Sequence, residues 1–286
     1  MDQLIGAWGT MLSEHPLFVP GSVVSNLKYW DGVVQARDVP ELQLHGSWGT
    51  RIHRSNPAKS PAIAVQSERE PTRAHVWAHG SISRMWGVMA PRANSVGLAS
   101  APVLDQIGWS TTFAVLLGSG KVIASGVTWK ERLDAVHAEG VNVVAVRAEE
   151  LPVLLSSSGT YPSVEQVAVW SHESVSLDGL EALQLLFPRS EVRRCLYVDW
   201  GPLTVATLPQ LSERGAGWVG VPVLGIELAA IDRGPHQRLL ARSPMAAWAA
   251  GAEDHWLGGG EALIDTGMLI AGNSRGWQLL ANDMPD

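Results

Sequence analysis

The chain has 286 residues, with 21 Lys+Arg against 28 Asp+Glu and a formal net charge of −7. It is 46% hydrophobic and only 17% charged, which fits one large domain or two small ones with a real core and excludes disorder. The acidic balance argues against nucleic acid as a partner, and the single Cys195 excludes a disulfide framework or a cysteine-cluster zinc site.

Residues 1–60 are irregular, with Pro16, Pro20, Pro40 and Pro57 punctuating short apolar pieces. A helix is expected over 22–36, capped by Ser22 or Ser25, and residues 54–61 read as a linker. Short strands are expected at 62–66 and 75–78. The apolar stretch 98–117 is expected to be helical in its second part, followed by a strand at 121–124. Thr128 and Glu131 have the spacing of a capping box, so a helix runs from there through His137 and stops at Gly140. A strand at 141–146, a strand at 164–170, a helix at 177–187 and a strand at 192–198 follow. Strand and helix alternating in this way predict βαβ units and a mainly parallel sheet. From 218 on the pattern changes to short strands at 218–223, 226–231, 238–241 and 278–281, an antiparallel or mixed meander closing an α/β fold.

Thirteen Trp against three Tyr and three Phe is an unusual balance. The indoles are expected mainly in core and rim packing, with an aromatic-lined cleft or partner surface as the alternative. No stretch has the basic, apolar character of a leader or the ~20 apolar residues of a membrane span, so a cytoplasmic protein off the membrane is expected. No Walker loop, no Gly-x-Gly-x-x-Gly and no Gly-x-Ser-x-Gly elbow is present. His75 and His79 are four apart, but their segment reads as extended and no carboxylate sits at a suitable offset, so no metal site is expected. His172 and Glu173 follow one expected strand and Asp199 another, the ends at which α/β sheets place ligands. They are candidates for acid–base work, against the alternative of hydrogen-bonded turns.

Residues 217–228 (GWVGVPVLGIEL), 238–245 (RLLARSPM) and Asp265-Thr266-Gly267 resemble, in order, three segments of the adenylate-forming enzymes. These are the Gly-x-x-Gly-x-Pro-x-x-Gly segment, the Gly-Glu-Leu-x-x-Arg-Gly-Pro strand and turn, and the Thr-Gly-Asp motif of acyl- and aryl-CoA ligases and their relatives. Upstream, residues 79–88 resemble the phosphate loop through Gly80, Ser81 and Ser83. Residues 102–108 resemble the Pro-Leu-x-His-x-x-Gly segment, with Asp105 in place of the His. Ser171, His172 and Glu173 stand at Gly-Gly-Glu, and residues 198–205, with Trp200, Gly201 and Thr204, at Tyr-Gly-x-Thr-Glu. The resemblance covers about 60–283, leaving 1–60 as a segment packing on a 61–283 core. It implies the large N-terminal domain of that family, and a nucleotide and acyl pocket formed by Asp105, Ser171, Trp200, Gly201, Thr204, Asp265 and Thr266.

The departures remove charge. Ile82, Ser83 and Trp86 replace the loop's Thr, Gly and Lys; Val205, or Leu203 by register, replaces the magnesium-binding Glu; Met268 replaces the Asp that holds the ribose. The chain ends near the family's hinge, so the small lid carrying the catalytic Lys is expected to be absent. The resemblance therefore implies a non-adenylating relative with no bound metal and no cofactor. Such a relative would bind a small carboxylate or acyl ligand or a protein partner, with self-association left open. Two alternatives stand beside it. One is a reduced but active ligase resembling the o-succinylbenzoate–CoA ligases, using ATP, Mg and CoA with a lid from another chain. The other is different chemistry in the same cleft, built on His172, Glu173, Asp199 or Asp105.

Overall fold

Runs of β-branched residues with apolar neighbours on both faces build the centre of the molecule. The computed structural model describes residues 61–66, 74–78, 88–89, 91–99, 106–117, 120–124, 128–198, 201–223, 225–233, 236–243, 248–249 and 263–280. Within these, β3 (Val96–Ala99), β4 (Lys121–Ala124), β5 (Val143–Arg147), β6 (Gln166–Ser171) and β7 (Glu191–Val198) run parallel in the order β4-β3-β5-β6-β7. Two antiparallel strands, β8 (Gly201–Thr207) and β9 (Val221–Pro222), extend this to seven.

Helices cover both faces. On one face lie α2 (Trp129–Glu139), α3 (Leu151–Leu155), α4 (Leu177–Leu186) and α5 (Leu208–Arg214), which bury Leu133, Val136, Leu154, Leu180, Leu183 and Leu211 in one apolar cluster. Helix α1 (Gln106–Leu117) packs Ile107, Ala114 and Val115 into the cluster on the other face. The chain steps outward from β3 to β4 through α1, then back across β3 to β5 through α2. Crossovers of one hand in opposite directions must use opposite faces, which separates α1 from the other helices.

The capping box expected at Thr128 is formed. Its Oγ1 accepts from the Glu131 N–H at 3.3 Å, and the Glu131 carboxylate accepts from the Thr128 N–H at 3.0 Å. Gly140 ends α2 with φ 64°, the left-handed turn that favours glycine.

A second sheet packs on the α1 side. It consists of β10 (Glu227–Arg233), β11 (His236–Arg242), β13 (Ile264–Asn273) and β14 (Gly276–Leu279), antiparallel in the order β10-β11-β13-β14. Leu239, Ala241, Met268 and Ile270 turn inward to join the cluster holding Trp170, Cys195 and Leu203. A mainly parallel α/β sheet with an antiparallel closing unit is therefore the observed architecture.

Several details differ from the sequence reading. The strands expected at 62–66 and 75–78 exist as β1 (Pro61–Gln66) and β2 (Ala74–Ala78). They pair with each other and with β12 (Trp248–Ala249), apart from the parallel sheet. The helix expected at 22–36, the 1–60 segment and nearly all of the 54–61 linker lie outside the described residues. Strand β3 (Val96–Ala99) was not expected; it overlaps only the start of the apolar stretch 98–117. It contains Gly97, where a Cβ would come within 2.6 Å of Val115 Cγ2, so α1 packs directly on the strand backbone. The strand expected at 218–223 is reduced to a single bridge, Trp218 to Gln278, and the two residues of β9.

The reduction has a cause. Arg194, on β7, is fully buried, and its guanidinium donates to the carbonyls of Ala216 and Val219 at 2.9 Å each and to that of Trp218. The Thr204 hydroxyl, on β8, also donates to the Val219 carbonyl. The Val219 carbonyl has both its lone pairs taken by side chains and has none left for a strand ladder. The same segment then reaches the small sheet, with Val219 N–H donating to Trp277 O at 2.9 Å and Leu279 N–H to Gly217 O at 2.6 Å. Residues 216–219 thus join the two sheets, and Arg194 holds the joint. Burial pulls the guanidinium down to about 10, and burial pushes the neighbouring Cys195 thiol up to about 12.

Replacing Arg194 with Met is expected to leave the Ala216 and Trp218 carbonyls short of a donor, while Val219 keeps that of Thr204. An orphaned buried polar group costs about 1–3 kcal/mol, offset in part by relief of the buried charge, so a net loss of about 2 kcal/mol is expected in denaturant unfolding. Hydrogen exchange should accelerate at residues 276–279 before it does at β5 and β6. Cys195, protonated and buried, is expected to resist a disulfide reagent at pH 8 in the native state and to be labelled at the rate of unfolding. Rapid native-state labelling would contradict its placement.

Candidate functional site

The carboxyl ends of three adjacent parallel strands open onto one cleft. After β5 the chain turns through Ala148 and Glu149 into α3; after β6 come Ser171, His172 and Glu173; β7 ends at Val198. Across from them, Thr266, Gly267 and Met268 on β13 form the opposing wall. The space between is a cavity of about 620 Å³, within the range of small-molecule sites. Leu151, Val175, Val198 and Met268 supply its apolar lining.

His172 is half-buried at this edge. Its Nδ1 lies 3.0 Å from the carbonyl oxygen of Tyr197, where the nitrogen must carry the proton and donate. The imidazole also packs against the Tyr197 ring, with centroids 3.9 Å apart. Tyr197 in turn meets buried Trp170 edge-on at 5.6 Å. The histidine is therefore positioned by the core beneath it. The Ser171 hydroxyl donates to the Glu173 carbonyl at 2.7 Å and shapes the turn, while the Glu173 side chain is exposed.

On β13, the Thr266 hydroxyl donates to Leu239 O at 2.8 Å and accepts from Met268 N–H at 3.2 Å. Asp265 accepts from Gly267 N–H at 2.9 Å and pairs with Arg238 at 3.1 Å. Gly267 has φ 78°, which lets the strand turn its backbone at this point. Met268 is buried with 7% of its surface exposed.

The fold thus brings Ser171, His172 and Glu173 together with Thr266, which are far apart in sequence. Asp265 stays outside the lining, held by Arg238. Gly201 and Thr204 are buried on β8 and do not line the cleft, because the Thr204 hydroxyl serves the joint. Gly80, Ser81, Ser83, Trp86, Asp105, Asp199 and Trp200 lie outside the described residues. Sequence reasoning overlooked Glu149 and the start of α4, around Ser176 and Gly179. The available signal was that Glu149 follows a strand, the same position that drew attention to His172. Among the described residues there is no cluster of three or more metal-ligating side chains, and no helix is long and apolar enough to cross a membrane.

No protein-family sequence model and no curated protein sequence matches this chain. Solved structures do match. One is a double mutant of o-succinylbenzoate CoA synthetase (MenE) from Bacillus subtilis bound with its product analogue OSB-NCoA, with TM-score 0.64 and 16% identity over 79% of this chain and 50% of that one. Another is the N-terminal domain of FACL13 from Mycobacterium tuberculosis, with TM-score 0.64 and 12% identity over 79% of this chain and 61% of that one. A third, VinN in complex with L-aspartate, matches with TM-score 0.62 and 15% identity over 79% and 60%. The chain spans half the length of the MenE structures it matches. At these identities the likeness is one of fold, and the chain has the α/β fold of the N-terminal domain of adenylate-forming enzymes.

Proposed function

We propose that this protein is a non-adenylating relative of the acyl- and aryl-CoA ligases that holds a small acyl-type ligand in the cleft between its two sheets. The observation that carries this reading is the character of the wall at Met268. A buried thioether stands where the fold's Thr-Gly-Asp motif would present a carboxylate, and it packs with Leu239 and Ile270 as part of the core.

The residues present do not fit a magnesium nucleotide. Magnesium takes hard oxygen ligands. Leu203 is fully buried and Val205 packs against the same apolar cluster, so either register of the magnesium-binding motif puts hydrocarbon at the carboxylate position. Losing one stabilising charge commonly costs on the order of 10²–10³ in rate, and losses at the metal and the ribose act on the same reaction. What survives is the part of the cleft that needs no triphosphate: an apolar pocket edged by His172 and Ser171. A protein partner docking at this edge is the other form of the reading. The alternative of a reduced but active ligase, with its lid supplied by another chain, draws on the likeness to MenE, whose structures this chain matches over half their length.

Calorimetry with Mg-ATP is expected to show no binding at micromolar concentrations. Pyrophosphate exchange across a panel of carboxylic acids is expected to stay at background. Turnover with any acid would replace this reading with the ligase.

A further inference from the structure

Helix α4 buries Leu180, Leu183 and Leu186 in the core, the inward stripe of an amphipathic helix. On its outward side Asp178, Glu181 and Leu185 follow one another at helical spacing, all exposed. Leu185 leaves 76% of its surface in water, more than any other large apolar side chain among the described residues. The neighbouring α3 packs against α4 and carries Val153, 59% exposed. Apolar side chains held this far into water gain free energy when a partner covers them.

The stripe carries opposite charge at its two ends. Glu181 lies four residues before Leu185, with Asp178 a turn further back, and Arg189 lies four residues after it. Arg189 sits on a turn that is fastened to the helix. The Ser190 N–H and hydroxyl both donate to Phe187 O, at 3.0 and 2.8 Å. Gln184, beside Leu185, donates through Nε2 to Phe187 O at 3.2 Å and to Ser190 O at 2.9 Å. Asp178, Glu181 and Arg189 are exposed, and among the described residues none of them has an ion-pair partner.

A stripe that is acidic at one end, apolar in the middle and basic at the other matches a second copy of itself in one arrangement. Turned antiparallel about a two-fold axis, Leu185 meets its twin, and Glu181 faces Arg189 of the partner subunit on both sides of the axis. A parallel arrangement would set like charges together. We propose that this face of α4 is a self-association surface, on which two copies of the chain pair antiparallel about Leu185. An apolar centre with a charged rim is the anatomy of such contacts, and the fastened turn limits the cost of ordering Arg189. The contact is small, so the dimer is weak and concentration-dependent. The pairing does not depend on what the cleft holds.

Sedimentation equilibrium of the full chain, over roughly 10–500 µM, reads the association. A monomer–dimer equilibrium with a dissociation constant on the order of 100 µM is expected. Leu185→Asn is expected to weaken it about ten-fold or more. Glu181→Arg alone and Arg189→Glu alone each set like charges across the axis twice, and each is expected to weaken self-association about ten-fold. Mixing these two variants restores both opposite pairs, so the equimolar mixture is expected to associate within about three-fold of the unaltered chain. All three positions are exposed, and an unchanged circular dichroism spectrum and thermal midpoint check that each variant folds. An unaltered chain that stays monomeric throughout, leaving the face to a different protein or to another part of this chain, would overturn the pairing. So would a dimer that survives Leu185→Asn undiminished, or a mixture that associates no better than its two components.

Discussion

One buried cation organises the molecule. Arg194 on β7 spends its guanidinium on the carbonyls of residues 216, 218 and 219, and those residues pair in turn with β14. The geometry between the seven-stranded and four-stranded sheets passes through this segment. The cleft needs that geometry, because one wall hangs from the carboxyl ends of β5 to β7 and the other belongs to β13. An apolar residue at 194 would fill the space but leave the Ala216 and Trp218 carbonyls unmet, so here the desolvation of a charge is offset by the hydrogen bonds it satisfies.

The cleft lies where folds of this class place ligands, and its polar groups are engaged within the protein. Ligand sites of α/β sheets lie beyond the carboxyl ends of the strands, and this one does too. Its polar groups, though, are turned inward to the protein. Thr266 bonds to the neighbouring strand, Asp265 bonds to its own turn and to Arg238, and Thr204 bonds to the joint. These side chains hold the scaffold together, and Met268 extends the core to the cleft wall. That is the physical content of the proposal that the shape persists without the ATP chemistry.

Much of the layer architecture was legible from local pattern. The Val-rich runs that became β5, β6 and β7, and the Thr128/Glu131 box with Gly140 behind it, carry their own signals within a dozen residues. Strand β8 did not, because it opens with Gly201-Pro202 and owes its pairing to β7. Nor did β13, since Asp265-Thr266-Gly267 reads as a turn and becomes a strand only by lying between β11 and β14. The segment at 218–223 carried a strand pattern, but side chains from β7 and β8, Arg194 and Thr204, take its Val219 carbonyl.

The sequence by itself determined the alternation of strands and helices, the caps, the order of the segments that resemble adenylate-forming motifs and the uncharged residues at Trp86, Val205 and Met268. These are properties of composition and short spacing, which a chain carries before it folds. Tertiary structure decided which side chains share the cleft, and that Thr204 holds a joint instead of lining a pocket. Those depend on contacts between residues 15 or more positions apart, and no local pattern encodes which partner a hydroxyl or a guanidinium will find.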